Sequence, residues 1–450
     1  MTRTVTDETG TVHVLERSLG RGGQGEVWLA QGGKRVVKLL PRKGDAEGLR
    51  RQIAWVKRLA LTDLHVARPV AVLRAPDVGY VAEFLEDMAP IRTLISPPKE
   101  GKVTEWYLGT GGLRRRLVLL AHAAETLAEL HGRGLVYGDV SHENVFVSAS
   151  AGALEAWLID LDNLRYHTGA DHSLYTPGYG APEIIDGSRG ADSYSDAWAF
   201  AILAFRVLAL IHPLHGDLVE EGEPKLEDEA NAGRLPWVEH DTDPRNRSSR
   251  GLPRDVVLTK KLRALLRDTF EAGVTDRTRR STVSKWVEHL HRAGDGTVSC
   301  EGCRGTYYVT QPTCPFCDLE RPPVQNVQLV PWVPAEGLAP MRSALGGAGE
   351  RLPLGREPLI LRRRHAFLES GIQGRRPAAL VELVDRGVRV RPSGSPLWLT
   401  EPGKVEGAAK PIPERGVLLP LLETPDRSHV VHFGLGSAPH RVMIFHRGGR

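Results

Sequence analysis

Asp139 and Asn144 stand five positions apart in "YGDVSHENVFV" (137–147), with a short polar turn between them and an apolar run directly after. A carboxylate and a carboxamide held at that spacing just before the chain enters the core raise the question of what chemistry keeps them there. Asp160 ends the apolar "WLID" at an expected strand end. Upstream, Gly20, Gly22 and Gly25 form G-x-G-x-x-G, and Lys38 closes "RVVK". Glycines there let the backbone close over phosphates, and a lysine on the next strand sets a cation on them. In a dinucleotide-binding turn a helix follows at once; here Val27 and then "VVK" continue as strand. Lys38, flanked by Val36, Val37, Leu39 and Leu40, is expected to be buried, and a buried ammonium needs an anionic partner.

The four cysteines, Cys300, Cys303, Cys314 and Cys317, read C-x2-C-x10-C-x2-C, with turn residues inside each pair ("CEGC", "CPFC"). In a reducing compartment that spacing points to a structural Zn²⁺ held by four thiolates, with two disulfides or free thiols as the alternative. Such a closed site has no open position for catalysis; it staples a module too small for its own core.

These residues need elements to hold them. Residues 11–40 alternate polar and apolar around the glycines, the pattern of short antiparallel strands, and 78–86 reads as a further strand. Residues 45–60 have helical spacing, and Leu113, Leu117, Leu120, Ala124, Leu127 and Leu130 mark a long amphipathic helix. More helices are expected at 194–211, 256–271 and 281–292, and an irregular loop or short helices at 212–255. A strand-rich part thus precedes a helix-rich part, an α+β order. A Pro/Gly-rich linker is expected at about 321–350, and from 351 onward short Val/Leu/Ile segments between Gly and Pro suggest a β-sandwich or barrel.

At 450 residues the chain is long enough for two or three domains, and 41% hydrophobic with 25% charged residues is a globular composition. No apolar segment follows "MTRTVTDETG", so no signal peptide is expected. The longest apolar run, 197–211, is shorter than a membrane span and carries Arg206, so it reads as a buried helix and a cytoplasmic protein without membrane contact is expected. The net charge of +4 does not argue for nucleic acid, although the last hundred residues hold 17 Lys/Arg against 9 Asp/Glu, an excess of 17 − 9 = +8. A solvated basic face accounts for that excess; nucleic-acid binding by residues 293–450 is the less favoured reading.

Taken in order, the glycine-rich hairpin, Lys38, "YGDVSHENVFV", "WLIDLDN", "YTPGYGAPE" (175–183), "DSYSDAWAFAILAF" and "DRTRRST" resemble the protein-kinase family, in particular bacterial kinases of the eukaryotic Ser/Thr type, over about residues 12–292. The resemblance implies a bilobal kinase domain at 1–292 (lobes about 1–86 and 87–292), followed by a four-cysteine zinc module at 293–320, the linker, and an all-β domain at 351–450. It implies an ATP/Mg²⁺-dependent enzyme in which Asp139 orients the substrate hydroxyl and accepts its proton. Asn144 and Asp160 would hold Mg²⁺, and Lys38 the phosphates. Val27, Val36, Ala82 and Phe146 would line the adenine pocket, with backbone groups of Glu83 and Leu85 at its edge. Glu183 with Arg280 matches the family's structural ion pair, and Asp196 the anchor of the catalytic-loop backbone.

The chain departs from that pattern at several positions. Gln52 falls where the family has the glutamate partner of the lysine; Glu47 is a possible substitute. Asp162 replaces a glycine and is expected to be a solvated neighbour of the metal site rather than an extra ligand. Ser141 replaces a lysine that touches the transferred phosphate, a loss that His142 or a substrate group would have to offset. Gly138 replaces the arginine that receives a phosphorylated activation loop, so activity is expected not to need phosphorylation of Ser173, Tyr175 or Thr176. The tail opening "LGREPLILRRRHAFLES" faintly resembles a forkhead-associated domain, with Gly355-Arg356 and Arg364-His365 at the phosphothreonine-reading positions. Protein substrates are implied, and the resemblance further suggests a cognate phosphatase and a von Willebrand A-type protein as partners. The rival function is a nucleotide-binding pseudokinase scaffold acting through its zinc and β-rich domains.

Overall fold

A computed structural model describes residues 3–22, 25–41, 45–166, 175–332, 349–402, 409–421, 429–435 and 439–446. The chain divides into two compact units, Met1–Thr110 with Arg115–Leu290, and Gly111–Arg114 with His291–Arg450.

The first unit begins with strands β1 (Thr4–Thr6), β2 (Val12–Gly22), β3 (Gly25–Ala30), β4 (Arg35–Leu39), β5 (Pro69–Val72) and β6 (Gly79–Glu83), in a six-stranded sheet of order β1-β2-β3-β4-β6-β5. All its pairings are antiparallel. Because side chains alternate along a strand, Val37, Val81, Leu39 and Ala30 face one apolar cluster, with Val5 and Leu15. Val36 and Lys38 point the other way, opposite Val27, Ala82 and Tyr80 on neighbouring strands. Helix α1 (Ala46–Arg58) packs on this second face through Ile53, beside Tyr80 and Ala82. Its N-cap Asp45 accepts from the Gly48 N–H, and Lys57 and Arg58 complement its C-terminal dipole.

Helices α2 (Val103–Gly109) and α3 (Gly112–Gly132) follow, then β7 (Met88–Pro90, earlier in the chain) pairs with β9 (Val145–Ser148), which pairs with β10 (Ala156–Leu158); β8 (Leu135–Val136) pairs with β11 (Arg165–Tyr166). After α4 (Pro182–Ile185), helix α5 (Ser193–Ala209) is the apolar run of the sequence, opened by a capping box in which Asp192 and Ser195 satisfy each other's backbone N–H. Trp198, Phe200, Ile202, Leu203 and Phe205 are at most 1% exposed, so the run is a core helix buried all round. The segment 212–255 carries short helices α6 (Asp217–Glu220) and α7 (Pro224–Asn231), with α8 (Arg254–Val257) at its end. The helix expected over 256–271 is divided: α9 (Lys260–Arg267) runs into a π-turn at Asp268–Ala272 and then α10 (Gly273–Thr275). Helix α11 (Val283–Asp295) ends the run.

In the second unit, β12 (Thr297–Ser299) and β13 (Thr306–Tyr308) form a hairpin over a small core of Val298, Cys300, Tyr307 and Cys314. Residues 325–332, expected to belong to a linker, are instead strand β14 (Gln325–Trp332). The prolines of 321–350 conceal it. Pro331 lies beyond the stretch 325–329 that pairs with β15 (Glu350–Leu354), so its missing N–H breaks no bond on that side. β14 and β15 join β19 (Trp398–Thr400), β20 (Lys410–Pro411), β22 (Val430–His432) and β23 (His440–His446) in a six-stranded sheet of order β15-β14-β23-β22-β19-β20. The strands β16 (Leu359–Arg362), β17 (Pro377–Val384), β18 (Gly387–Pro392) and β21 (Val417–Leu419) make a four-stranded sheet. One cluster, including Val327, Leu352, Met443 and Phe445 from the first sheet and Leu361, Val381, Val390 and Leu419 from the second, fills the space between them.

Candidate active site

Lys38 sits mid-strand in β4 and is only 4% exposed. Its Nζ lies 3.0 Å from Asp160 Oδ2 and donates to Asp162 Oδ1 at 3.1 Å and Oδ2 at 3.2 Å. Burial on its own would lower the lysine's proton affinity, but the two carboxylates outweigh it and hold Lys38 above the ordinary lysine range. Burial, with Asp160 nearby, pushes Asp162 upward against the pull of Lys38. The expectation that Asp162 is a solvated neighbour is therefore corrected: its side chain is 11% exposed and bonded to the lysine through both oxygens. Glu47 is not the substitute partner, for its side chain is 69% exposed and stands beside Arg50. Gln52 donates from Nε2 to the Leu164 carbonyl, so it braces α1 against the segment after Asp160.

Asp160 adopts the left-handed conformation, φ +58, and opens a 3-10 turn at Leu161–Asn163 with Leu161 fully buried. Asp is one of the few non-glycine residues that tolerate this region, and such strain gathers at functional sites. The Tyr80 hydroxyl lies 3.4 Å from Asp160 Oδ1.

Asp139 is 3% exposed. Its Oδ2 accepts from Asn144 Nδ2 at 2.8 Å; its Oδ1 accepts from the Thr176 hydroxyl at 2.7 Å and the Thr176 N–H at 3.1 Å. Asn144 Nδ2 also donates to the Asp139 carbonyl at 3.0 Å, which leaves the carboxamide oxygen turned away as a donor for a cation. The two acidic stretches meet through the backbone: Ile159 N–H donates to the Asn144 carbonyl at 3.0 Å, one residue before Asp160. The Tyr137 hydroxyl bonds the Ile159 carbonyl from below. Asp196 accepts from the N–H groups of Tyr137 (2.8 Å) and Gly138 (2.9 Å) and contacts His131 Nε2 at 2.9 Å, fixing the loop's backbone. Gly138 has φ +82, a conformation that disfavours the arginine of the family pattern. Glu183 and Arg280 pair through two bonds of 2.7 Å.

The glycines divide. A Cβ on Gly25 would lie 2.2 Å from the Leu39 carbonyl, and its φ is +134, so glycine is required there by the sheet itself. Among the described residues nothing lies within 4 Å of a Cβ built on Gly20 or Gly22, so these residues give no packing reason for the two glycines, and the open space suits a close-approaching ligand. Val27, Val36 and Ala82 share the sheet face of Lys38. Phe146 lies in β9, half-buried, opposite Pro90. Glu83 ends β6 with its side chain bonded to Arg35, and Leu85 follows it, half-buried.

Ser141 is fully buried, and its Oγ has no hydrogen-bond partner among the described residues. His142 stacks on Tyr179 at 5.3 Å, and burial, with Arg206 and Arg92 close by, pulls it down to about 4. It is neutral near pH 7 and supplies no charge in place of the absent lysine. Ser173 lies outside the described residues. Sequence reasoning did not single out Tyr80 or the hydrogen bonds of Thr176; the position of Thr176 in "YTPGYGAPE" is the one signal for it.

In the second unit, the four cysteines carry no disulfide and their Sγ atoms all lie within 4.8 Å of one another. Cys300–Cys317 and Cys303–Cys314 Sγ separations are 3.5 and 3.6 Å, close to the ~3.8 Å edge of a tetrahedron with ~2.3 Å Zn–S bonds. Each pair is built the same way. Arg304 N–H donates to the Cys300 carbonyl and Cys300 N–H to Gly305; Asp318 N–H donates to Cys314 and Cys314 N–H to Leu319. Arg304 and Asp318 both have φ +59. Arg364 and His365 are bound to Asp295, at 2.6 and 3.0 Å, while Arg356 is 81% exposed beside Glu301. The structure does not bring Arg356 together with Arg364-His365, so the expected phosphothreonine set is not assembled.

A family model described as the protein kinase domain matches residues 13–291. The chain belongs to the protein kinase family. Serine/threonine-protein kinase pkn2 of Myxococcus xanthus is 32% identical over 246 residues, 50% of this chain and 27% of that protein. The DNA damage-responsive serine/threonine-protein kinase RqkA of Deinococcus radiodurans is 29% identical over 209 residues, 44% of this chain and 30% of that protein. Serine/threonine-protein kinase PkaA of Streptomyces coelicolor is 25% identical over 221 residues, 46% of this chain and 40% of that protein. The alignments cover 27%, 43% and 50% of the first three curated relatives, so the chain spans about a quarter to a half of their length.

Proposed function

We propose that this chain is a serine/threonine protein kinase that transfers the γ-phosphate of ATP to hydroxyls of protein substrates. The observation that carries the reading is the continuous run of contacts from Lys38 through Asp160 and the Ile159–Asn144 backbone bond to Asp139. It sets a cation, two oxygen donors and a fixed carboxylate along one path.

In this reading Asp139, held by Asn144 and Thr176, orients the acceptor hydroxyl and takes its proton as the oxygen bonds to phosphorus and the β–γ bridging bond breaks. The Asn144 carboxamide oxygen and Asp160 fit as ligands for Mg²⁺, which when bound neutralises phosphate charge. Lys38 holds the phosphates under the Gly20–Gly22 backbone, and Gly25 keeps the hairpin closed. Val27, Val36, Ala82 and Phe146 line the adenine site, with Glu83 and Leu85 at its edge. Ser or Thr acceptors are favoured by "TPGYGAPE" and by the similarity to serine/threonine-protein kinases. With Gly138 offering no guanidinium, activity does not require activation-loop phosphorylation. The four cysteines hold a structural Zn²⁺, and the β-rich domain is a sandwich whose partner is unassigned. A cytoplasmic location belongs to this reading; no helix among the described residues is long and apolar enough to cross a membrane. A cognate phosphatase and a von Willebrand A-type protein are the partners this reading favours.

The test is phosphate transfer from labelled ATP, wild type against Asp139→Asn, with ATP binding measured in the same samples. The variant should lose about 10²–10⁴-fold in rate while ATP affinity stays close to wild type. A wild type that binds ATP without transferring phosphate, to itself or to a basic protein, would turn the reading toward the scaffold.

A further inference from the structure

We propose that Asp162 is the carboxylate that positions Lys38, in place of an anion on helix α1; the inference rests on the kinase reading above and names a further positioning residue for it. Lys38 is too deeply buried to stand without an anion, since a desolvated ammonium left unpaired is strongly disfavoured. Helix α1 offers none: Gln52 is neutral and turned to the Leu164 carbonyl, and Glu47 stands exposed beside Arg50. Among the described residues only Asp160 and Asp162 are ion-paired with the ammonium. Asp160 is the residue the proposed function commits to the metal, so its charge is shared as soon as a cation arrives. Asp162 has both oxygens on Nζ and sits in a turn anchored by fully buried Leu161 and Leu164. It is the carboxylate whose charge stays with the lysine.

This arrangement has a mechanical consequence. The phosphate-binding lysine and the metal-binding aspartate are organised by one short turn, Asp160–Asn163. Helix α1 touches that segment through a neutral amide and carries no charge to Lys38, so displacing the helix does not by itself strip the lysine of its anion. Control of Lys38 acts through the turn.

The first measurement is a double-mutant cycle on the thermal stability of the full chain without nucleotide, using Lys38→Met and Asp162→Asn. Asp162→Asn alone should lower the midpoint by several degrees, because the ammonium loses the partner that keeps its charge. In the Lys38→Met background the same change should raise the midpoint or leave it, because it then relieves repulsion from Asp160. An equal drop in both backgrounds overturns the pairing. The second measurement is phosphate transfer: Asp162→Asn should lose about tenfold or more in kcat/KM for ATP, and Asp162→Glu, which keeps the charge, should retain most of it. Transfer by Asp162→Asn at the wild-type rate overturns the positioning role even if the pair exists. If wild type transfers no phosphate, the kinase reading falls by itself, and the cycle still decides whether Asp162 holds Lys38.

Discussion

Lys38 reaches Asp162 across 124 positions of chain, whereas the four cysteines all lie between 300 and 317 and repeat one backbone motif twice. Both clusters gather groups that repel or strand one another unless a counter-charge is present. In the cysteine cluster the neighbours are set by local backbone: each C-x2-C turn, with its αL residue after the second cysteine, aims its two thiols before any tertiary contact forms. In the Lys38 cluster nothing local does this. The pair exists because β4 and the turn after β10 are brought together by the whole first unit. A locally built site should fail all at once when one member is removed, and a site built by the fold should fail by degrees.

The largest effect is expected where the comparison is sharpest. Cys314→Ala removes a buried thiol from a cluster whose small core also includes Val298 and Tyr307. If the cluster holds Zn²⁺, wild type should carry one metal per chain, and the variant should lose it together with the order of the 297–320 hairpin. Metal binding supplies about 10–16 kcal/mol in zinc-finger peptides, far more than so small a core supplies. Metal content and limited proteolysis check this; a variant that retains one zinc and wild-type resistance would break the contrast. In the first unit, Asp196→Ala should be graded. It strands the N–H groups of Tyr137 and Gly138, at about 1–3 kcal/mol each, so denaturant unfolding should show a loss of several kcal/mol in a chain that still folds. Transfer should fall with it as the Asp139 loop loosens; a fully active Asp196→Ala would show that the loop holds itself.

The same contrast explains what could be read from the chain in advance. The leucine spacing of 113–130 specifies α3, and the apolar run 197–211 specifies a buried helix, because each pattern is local and repeats within one element. The cysteine spacing is legible for the same reason. Asp162 is not: in sequence it is a polar residue in "IDLDN", and its burial appears only once β4 lies over it. Gln52 misleads in the opposite sense, since the resemblance to a glutamate position points toward Lys38 while its amide turns to a carbonyl. β14 is hidden by prolines whose cost depends on which strand edge they face. The break in the helix expected over 256–271 follows from a π-turn with no composition signal of its own.

The smallest effect concerns His142, which faces Tyr179, Arg206, Arg92 and Glu143. Folding takes it from an ordinary value of 6.5 down to about 4, first by burial and then by the two arginines. The unfolded chain therefore binds the proton first as pH falls, so the stability this residue contributes is complete above about 6.5 and is lost progressively toward about 4. His142→Gln removes that titration. Denaturation midpoints measured across this window should fall less steeply for the variant than for wild type, by up to one proton's worth of slope. Thiolate protonation in the cysteine cluster is common to both proteins and cancels in the difference. Parallel slopes would mean that folding leaves the proton affinity of His142 unchanged, against the lowering by burial and the two arginines.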